Sequence, residues 1–171
     1  MSPGDDLRLL RTPEGHLPIL MSWFQTQRLC REWGGPKFRF PFDAATFRAD
    51  TRFGELPSYS LMSSNDDLLG FGQYYRRHDR CHLARLAIAP GHRGRRLGAE
   101  LVARLGDVGC AQLRVRDCSL FVLHDNPSAI RLYERVGFAA ADYPETTDAL
   151  AGCVYMVWIR ERSSSAAGQT A

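Results

Sequence analysis

Apolar residues change their period several times along this chain, and each change marks an element. Leu7-Arg8-Leu9-Leu10 predicts a short first strand. Leu17, Leu20, Met21, Phe24 and Leu29 then recur at three- and four-residue spacing, which predicts one helical stretch. Residues 33–42 carry Gly34, Gly35, Pro36 and Pro41 and cannot continue it as a regular helix. Asp43 is placed to cap a second helix running to about Phe53. Ser58–Ser63 and Leu68–Arg77 read as strands joined at Asn65-Asp66-Asp67, and Cys81–Ala89 as a third that ends at Pro90-Gly91. From Gly94 the pattern turns helical, with Leu97, Leu101, Val102, Leu105 and Val108 on one side. Val115–Leu123 is mainly apolar, as a strand covered on both faces would be. Asn126, Pro127 and Gly137 punctuate a further helix at its cap, first position and end. Late strands near Phe138–Ala141 and Cys153–Ile159 complete a mixed sheet. The expectation is one α/β domain over residues 1–162, with a small polar tail at 163–171.

Composition narrows the class. The chain has 171 residues, 44% hydrophobic and 24% charged, enough for one buried core. No run approaches the ~18 apolar residues of a membrane span. The acidic start, Met1 to Asp6, has no apolar segment behind a positive one, which argues against a secretory signal. Five cysteines (Cys30, Cys81, Cys110, Cys118, Cys153) are widely spaced without a CxxC pair. They indicate neither a zinc ribbon nor a dithiol site; the expectation is no metal, and reduced thiols in a cytoplasmic protein. A net charge of +3 is too modest to announce nucleic-acid binding. Lys37 is the only lysine among 22 basic residues, a bias expected of a GC-rich, bacterial coding sequence.

The chemistry concentrates between Leu86 and Ala99. An apolar strand runs into the turn Arg93-Gly94-Arg95-Arg96, which opens directly into a helix. The first turn of a helix offers unpaired N–H groups and a positive dipole end. Gly94 and Gly98 let a ligand approach the backbone, and the arginines add charge, so the segment suits a pyrophosphate. A basic, solvated helix start would look the same from this segment alone. GK[ST] and GxGxxG are both absent, against a P-loop or dinucleotide fold.

Downstream lies His124-Asp125-Asn126-Pro127-Ser128-Ala129-Ile130-Arg131-Leu132-Tyr133-Glu134-Arg135-Val136-Gly137-Phe138. With LAIAP and RGRRLG before it, this segment resembles the GCN5-related N-acetyltransferase (GNAT) superfamily in residue type, order and spacing. The resemblance implies a mostly antiparallel sheet splayed where acyl-CoA binds, and an acetyl-CoA-dependent transfer to an amine. It implies that Arg93, Gly94, Arg95, Arg96, Leu97, Gly98 and Ala99 hold the pyrophosphate. Leu86, Ala87 and Ile88 would flank the pantetheine arm, with Asn126 opposite and Tyr133 near the thioester sulfur. The family turn has a glycine where this chain has Arg96. Arg96 is expected to be helical already, adding phosphate attraction, since a left-handed backbone there would be costly.

Amine acetylation needs a neutral amine, a polarised carbonyl and a protonated leaving thiolate. Tyr133 suits the acid, and the Leu86 N–H could meet the developing oxyanion. The strand Ser119–Leu123 lacks the glutamate that many family members carry. His82 is therefore the expected base, titrating near neutrality, with His124, Glu55 or a water chain behind it. Acceptor contacts are expected from Trp33, Phe40, and Tyr74 or Tyr75, beside a loop at 33–42 that also carries Arg39. The expected partner is a small-molecule or peptide amine, and the expected state monomer or homodimer, with no membrane partner. A non-catalytic acyl-CoA sensor and an enzyme acting on aminoacyl-tRNA remain open alternatives.

Overall fold

A computed structural model describes residues 6–161. Among them, seven strands form one sheet in the order β1-β2-β3-β4-β5-β7-β6. The strands are β1 (Arg8–Arg11), β2 (Ser58–Met62), β3 (Leu68–Arg77), β4 (Arg80–Ile88), β5 (Cys118–Leu123), β6 (Ala139–Ala140) and β7 (Cys153–Trp158). Only β4 and β5 pair in parallel; every other neighbour is antiparallel. The long helix α4 (Leu97–Leu113) and α5 (Pro127–Val136) pack on one face of the sheet. The shorter α1 (Leu17–Met21), α2 (Gln27–Gly34) and α3 (Ala44–Thr51) cover part of the other. The tail expected at 163–171 lies outside the described residues.

The first helical stretch is two helices rather than one. The Oγ1 of Thr26 accepts the Leu29 N–H at 3.2 Å, so Thr26 caps α2 although the apolar spacing runs through it. Trp33 and Gly34 still belong to α2, which stops at Gly35 with φ 91°. The Asp43 carboxylate and the Thr46 hydroxyl cap α3 reciprocally. At the far end of α4, Arg114 is left-handed and the Val115 N–H donates to the Cys110 carbonyl. That closing turn delays β5 to Cys118, where Val115 was the expected start.

The face under α4 and α5 is filled by Leu83, Val102, Leu105, Leu120 and Met156. It also gathers three thiols that the spacing kept apart. Cys81, Cys110 and Cys118 have sulfurs within 4.8 Å of one another, all buried. Burial pushes the Cys110 thiol up to about 11, which keeps it protonated. The opposite face packs Phe24, Phe38, Phe47 and Phe71 beneath α1 to α3. Among the described residues, no helix is long and apolar enough to cross a membrane.

Candidate active site

The site is made by two parallel strands that part. β4 and β5 pair at Cys81–Cys118, His82–Ser119 and Leu83–Leu120, and no further. Just beyond, β4 carries a bulge. Its partner β3 pairs Gln73 with Ala84 but Phe71 with Ala87, so Arg85 and Leu86 share one opposing position. Arg85 has φ 49°, the left-handed backbone that turns the strand there. Leu86, Ala87 and Ile88 then run along a cleft of about 480 Å³.

The far wall of this cleft comes from α5 and its cap. Asn126 Oδ1 accepts from the Ala129 N–H at 3.3 Å and from Ser128 Oγ at 3.1 Å, which leaves its amide nitrogen for the cleft. Tyr133 also lines the cleft, its ring edge-on to Phe138 at 6.0 Å. Burial pushes its phenol up to about 12, so it stays protonated at any physiological pH.

The mouth is the turn ahead of α4. Arg93, Gly94, Arg96, Leu97 and Gly98 line the cleft. Gly94 has φ 78°, with nothing within 4 Å of where a Cβ would stand. Arg96 is left-handed at φ 62° and caps α4, contrary to the expectation that it already lies in the helix. A non-glycine residue there costs about 1–2 kcal/mol. From that position its carbonyl accepts the N–H groups of Ala99 and Glu100, so Arg96 precedes the helix as its cap. The Ala99 amide is thereby spent and cannot face a phosphate. The N–H groups of Arg93 to Gly98 have no partner among the described residues, a row of free amides of the kind that suits an anion. Arg95 is exposed and lies outside the lining. Gly98 has a second reason to lack a side chain, since a Cβ would stand 2.5 Å from Leu132 on α5.

His82 is not where a base titrating near neutrality would be. It is 2% exposed, on the face away from α4 and α5, and is absent from the cleft lining. Its Nδ1 pairs with Ser119 Oγ at 2.9 Å, and its ring lies between Tyr75 (5.1 Å) and Phe121 (4.7 Å). Burial, and then the positive charge of Arg77 and His78, lowers its pKa to about 3. The imidazole is neutral and a very weak base. His124 and Glu55 stand elsewhere: His124 Nδ1 donates to the Gly152 carbonyl at 2.7 Å, and Glu55 pairs with Arg52 at 2.9 Å.

The expected acceptor contacts divide. Trp33 lines the cleft, stacked on Phe24 at 4.0 Å. Phe40 is exposed and meets Phe42 edge-on at 6.1 Å. Tyr74 is excluded: it is fully buried under α4, where its hydroxyl donates to Gln112. Strand alternation sends Tyr75 to the other face, beside His82. Two further residues reach that face unforeseen. Arg77 stands over the Phe121 ring at 5.1 Å, and Arg85 bonds to Gln73 at 3.0 Å. The signal for Arg85 was a charge inside an otherwise apolar strand.

Comparison with known proteins agrees with this geometry. The model of the acetyltransferase (GNAT) family matches residues 21–138, well over half of the chain. Spermidine N-acetyltransferase from Vibrio cholerae, solved with CoA and spermine, superposes with a TM-score of 0.66 at 19% identity, covering 89% of this chain and 94% of that one. A dodecameric form of spermidine N-acetyltransferase from the same organism gives 0.63 at 19%, covering 90% and 94%. The spore coat polysaccharide biosynthesis protein SpsD of Bacillus subtilis (strain 168) is 38% identical over 76 residues, 44% of this chain. That stretch is only 26% of SpsD, so the chain spans about a quarter of that relative's length. Parted parallel strands, free amides ahead of a helix and a cleft-lining tyrosine thus meet a family match across the same segments, and the chain belongs to the GNAT family of acetyltransferases.

Proposed function

We propose that this protein transfers an acetyl group from acetyl-CoA to a primary amine by direct attack when both are bound. The observation that carries the reading is the row of N–H groups at Arg93–Gly98 with no partner among the described residues, at the mouth of a cleft that Tyr133 also lines. These residues suit CoA. Gly94 and Arg96 hold left-handed backbone that leaves the amides free, and Arg93 and Arg96 add charge for a pyrophosphate. Leu86, Ala87 and Ile88 offer an unpaired strand edge to the pantetheine amides, with Asn126 opposite. The bound thioester supplies the activated acyl group.

The remaining work falls to the chain. The bulge takes Leu86 out of the β3 ladder, so its N–H can be aimed at the developing oxyanion. Tyr133, protonated up to about pH 12, gives its proton to the departing thiolate. With a pKa near 3, His82 cannot draw a proton from an ammonium at neutral pH. The amine therefore reacts from its neutral fraction or loses its proton to water. The acid limb of the rate then follows the pKa of the amine used, rather than a group near neutrality.

The test combines binding with turnover. Acetyl-CoA should bind and raise thermal stability by about 2.7 kcal/mol at one hundred times its Kd. A panel of primary amines should release free thiol in proportion to acetylated product. Tight acetyl-CoA binding without thiol release from any amine would favour a sensing domain and overturn the transfer.

A further inference from the structure

The face of the sheet opposite α4 and α5 holds positive charge that the machinery above leaves unused. Arg85 stands on the β4 bulge, immediately ahead of the residues that line the cleft. Its guanidinium donates to Gln73 Oε1 at 3.0 Å and to the Asp50 carbonyl at 2.9 Å, both neutral acceptors. Its Nε is buried without a partner among the described residues. Arg77, from the neighbouring strand, donates to the Tyr143 hydroxyl at 2.9 Å and stands over the rings of Tyr75 and Phe121. Neither arginine has a carboxylate partner among the described residues.

The acids close by are committed elsewhere. Asp50 takes Arg39 at 2.7 Å, Glu55 takes Arg52 at 2.9 Å, and Glu145 lies 3.7 Å from His78. A guanidinium withdrawn from water is repaid only in part by neutral oxygens, and far better by a carboxylate or a phosphate. The packed helices α4 and α5 close one face of the sheet. The acceptor is thereby left the other face, where Arg85 stands one residue ahead of the cleft-lining Leu86. We propose that Arg85, with Arg77 on the same face of the sheet, binds an anionic group of the acceptor, a carboxylate or a phosphate, so that the amine substrate is itself acidic or zwitterionic and not a polycation. This rests on the acetyl-transfer reading above.

Two measurements test it separately from that reading. In the first, the cleft is saturated with CoA, which blocks the amide cradle, and inorganic phosphate or acetate is titrated with ligand-observed NMR. At least one anion should bind saturably. Arg85→Gln should weaken that binding tenfold or more and Arg85→Lys by less, with CoA affinity serving as the check on folding in both variants. In the second, thiol release is compared for β-alanine against β-alaninamide, 2-aminoethyl phosphate against ethanolamine, and spermidine as a polycation. Rates are taken per free amine base. One acidic member should lead its neutral partner at least tenfold in kcat/KM, and which pair shows the lead identifies the anion. Failure of both anions to bind CoA-loaded protein overturns the proposal. So does thiol release that favours the neutral or polycationic amines, which would leave acetyl transfer standing. Anion binding that depends on Arg85, with no thiol release from any amine, keeps the anion site and overturns acetyl transfer.

Discussion

Replacing Tyr133 with phenylalanine separates its chemical role from its packing. The ring lies against Phe138, and Tyr133→Phe keeps that contact. The hydroxyl has no protein hydrogen-bond partner among the described residues, so its removal leaves no buried donor or acceptor stranded. Stability should therefore stay within about 0.5 kcal/mol of the wild type by urea unfolding. The proton matters only as the thiolate leaves, so affinity for acetyl-CoA should also hold. Turnover should fall on the order of 10², about 2.7 kcal/mol of transition-state stabilisation, read as thiol release at saturating substrates. The pKa near 12 adds a sign: the wild type should show no alkaline loss of rate from this group below about pH 11. Near-normal turnover in the variant refutes the assignment as acid. A weakened acetyl-CoA Kd with unchanged turnover would reassign Tyr133 to binding.

Burial of His82 makes a stability prediction. Its folded pKa, near 3, lies below the unfolded value of 6.5, so its contribution is complete above pH 6.5 and is lost as pH falls towards 3. Unfolding free energies from urea titrations should decline through that window by up to about 1.4 kcal/mol per pH unit, and His82→Gln should flatten the decline. Gly94→Ala meets no atom but must keep φ near 78°, so it should cost about 1–2 kcal/mol or let the cradle collapse, weakening acetyl-CoA in a titration. Gly98→Val drives a side chain into Leu132 and should lower stability by about 1–3 kcal/mol even without cofactor, visible as a lower melting temperature of the free protein. Arg96→Gly relieves left-handed strain; it should stabilise the free protein by up to about 1 kcal/mol and reduce the salt dependence of acetyl-CoA binding.

Alternation and punctuation carry much of this architecture. Leu68–Arg77 is a strand with the bounds its pattern suggests, because one side faces α4 and the other α1 to α3. Asn126, Pro127 and Gly137 bracket α5 because cap chemistry is local. Where distant residues decide, the pattern is mute. Alternation says that Tyr74 and Tyr75 face opposite ways, but only the packing of α4 tells which one is entombed. The environment of His82 is made by Tyr75, Ser119 and Phe121, from two other strands, and nothing beside it in the chain announces a pKa near 3. Arg96 misleads for another reason. Arginine rarely accepts a left-handed backbone, so its identity points into the helix while the turn demands otherwise.

The single extra residue in β4 works as a frame shift in the fold's reading of its own strand. Before it, even-numbered His82 shares a face with Tyr75 and Phe121; after it, odd-numbered Ala87 and Ala89 join Phe71 on that face, while Leu86 and Ile88 turn to the other. Substitutions on either side are read independently, but a one-residue deletion at Arg85 would put every later side chain of the strand on the wrong side. Side chains at the bulge can accordingly be exchanged freely, whereas its length is a fixed coordinate that both the core and the cleft depend on.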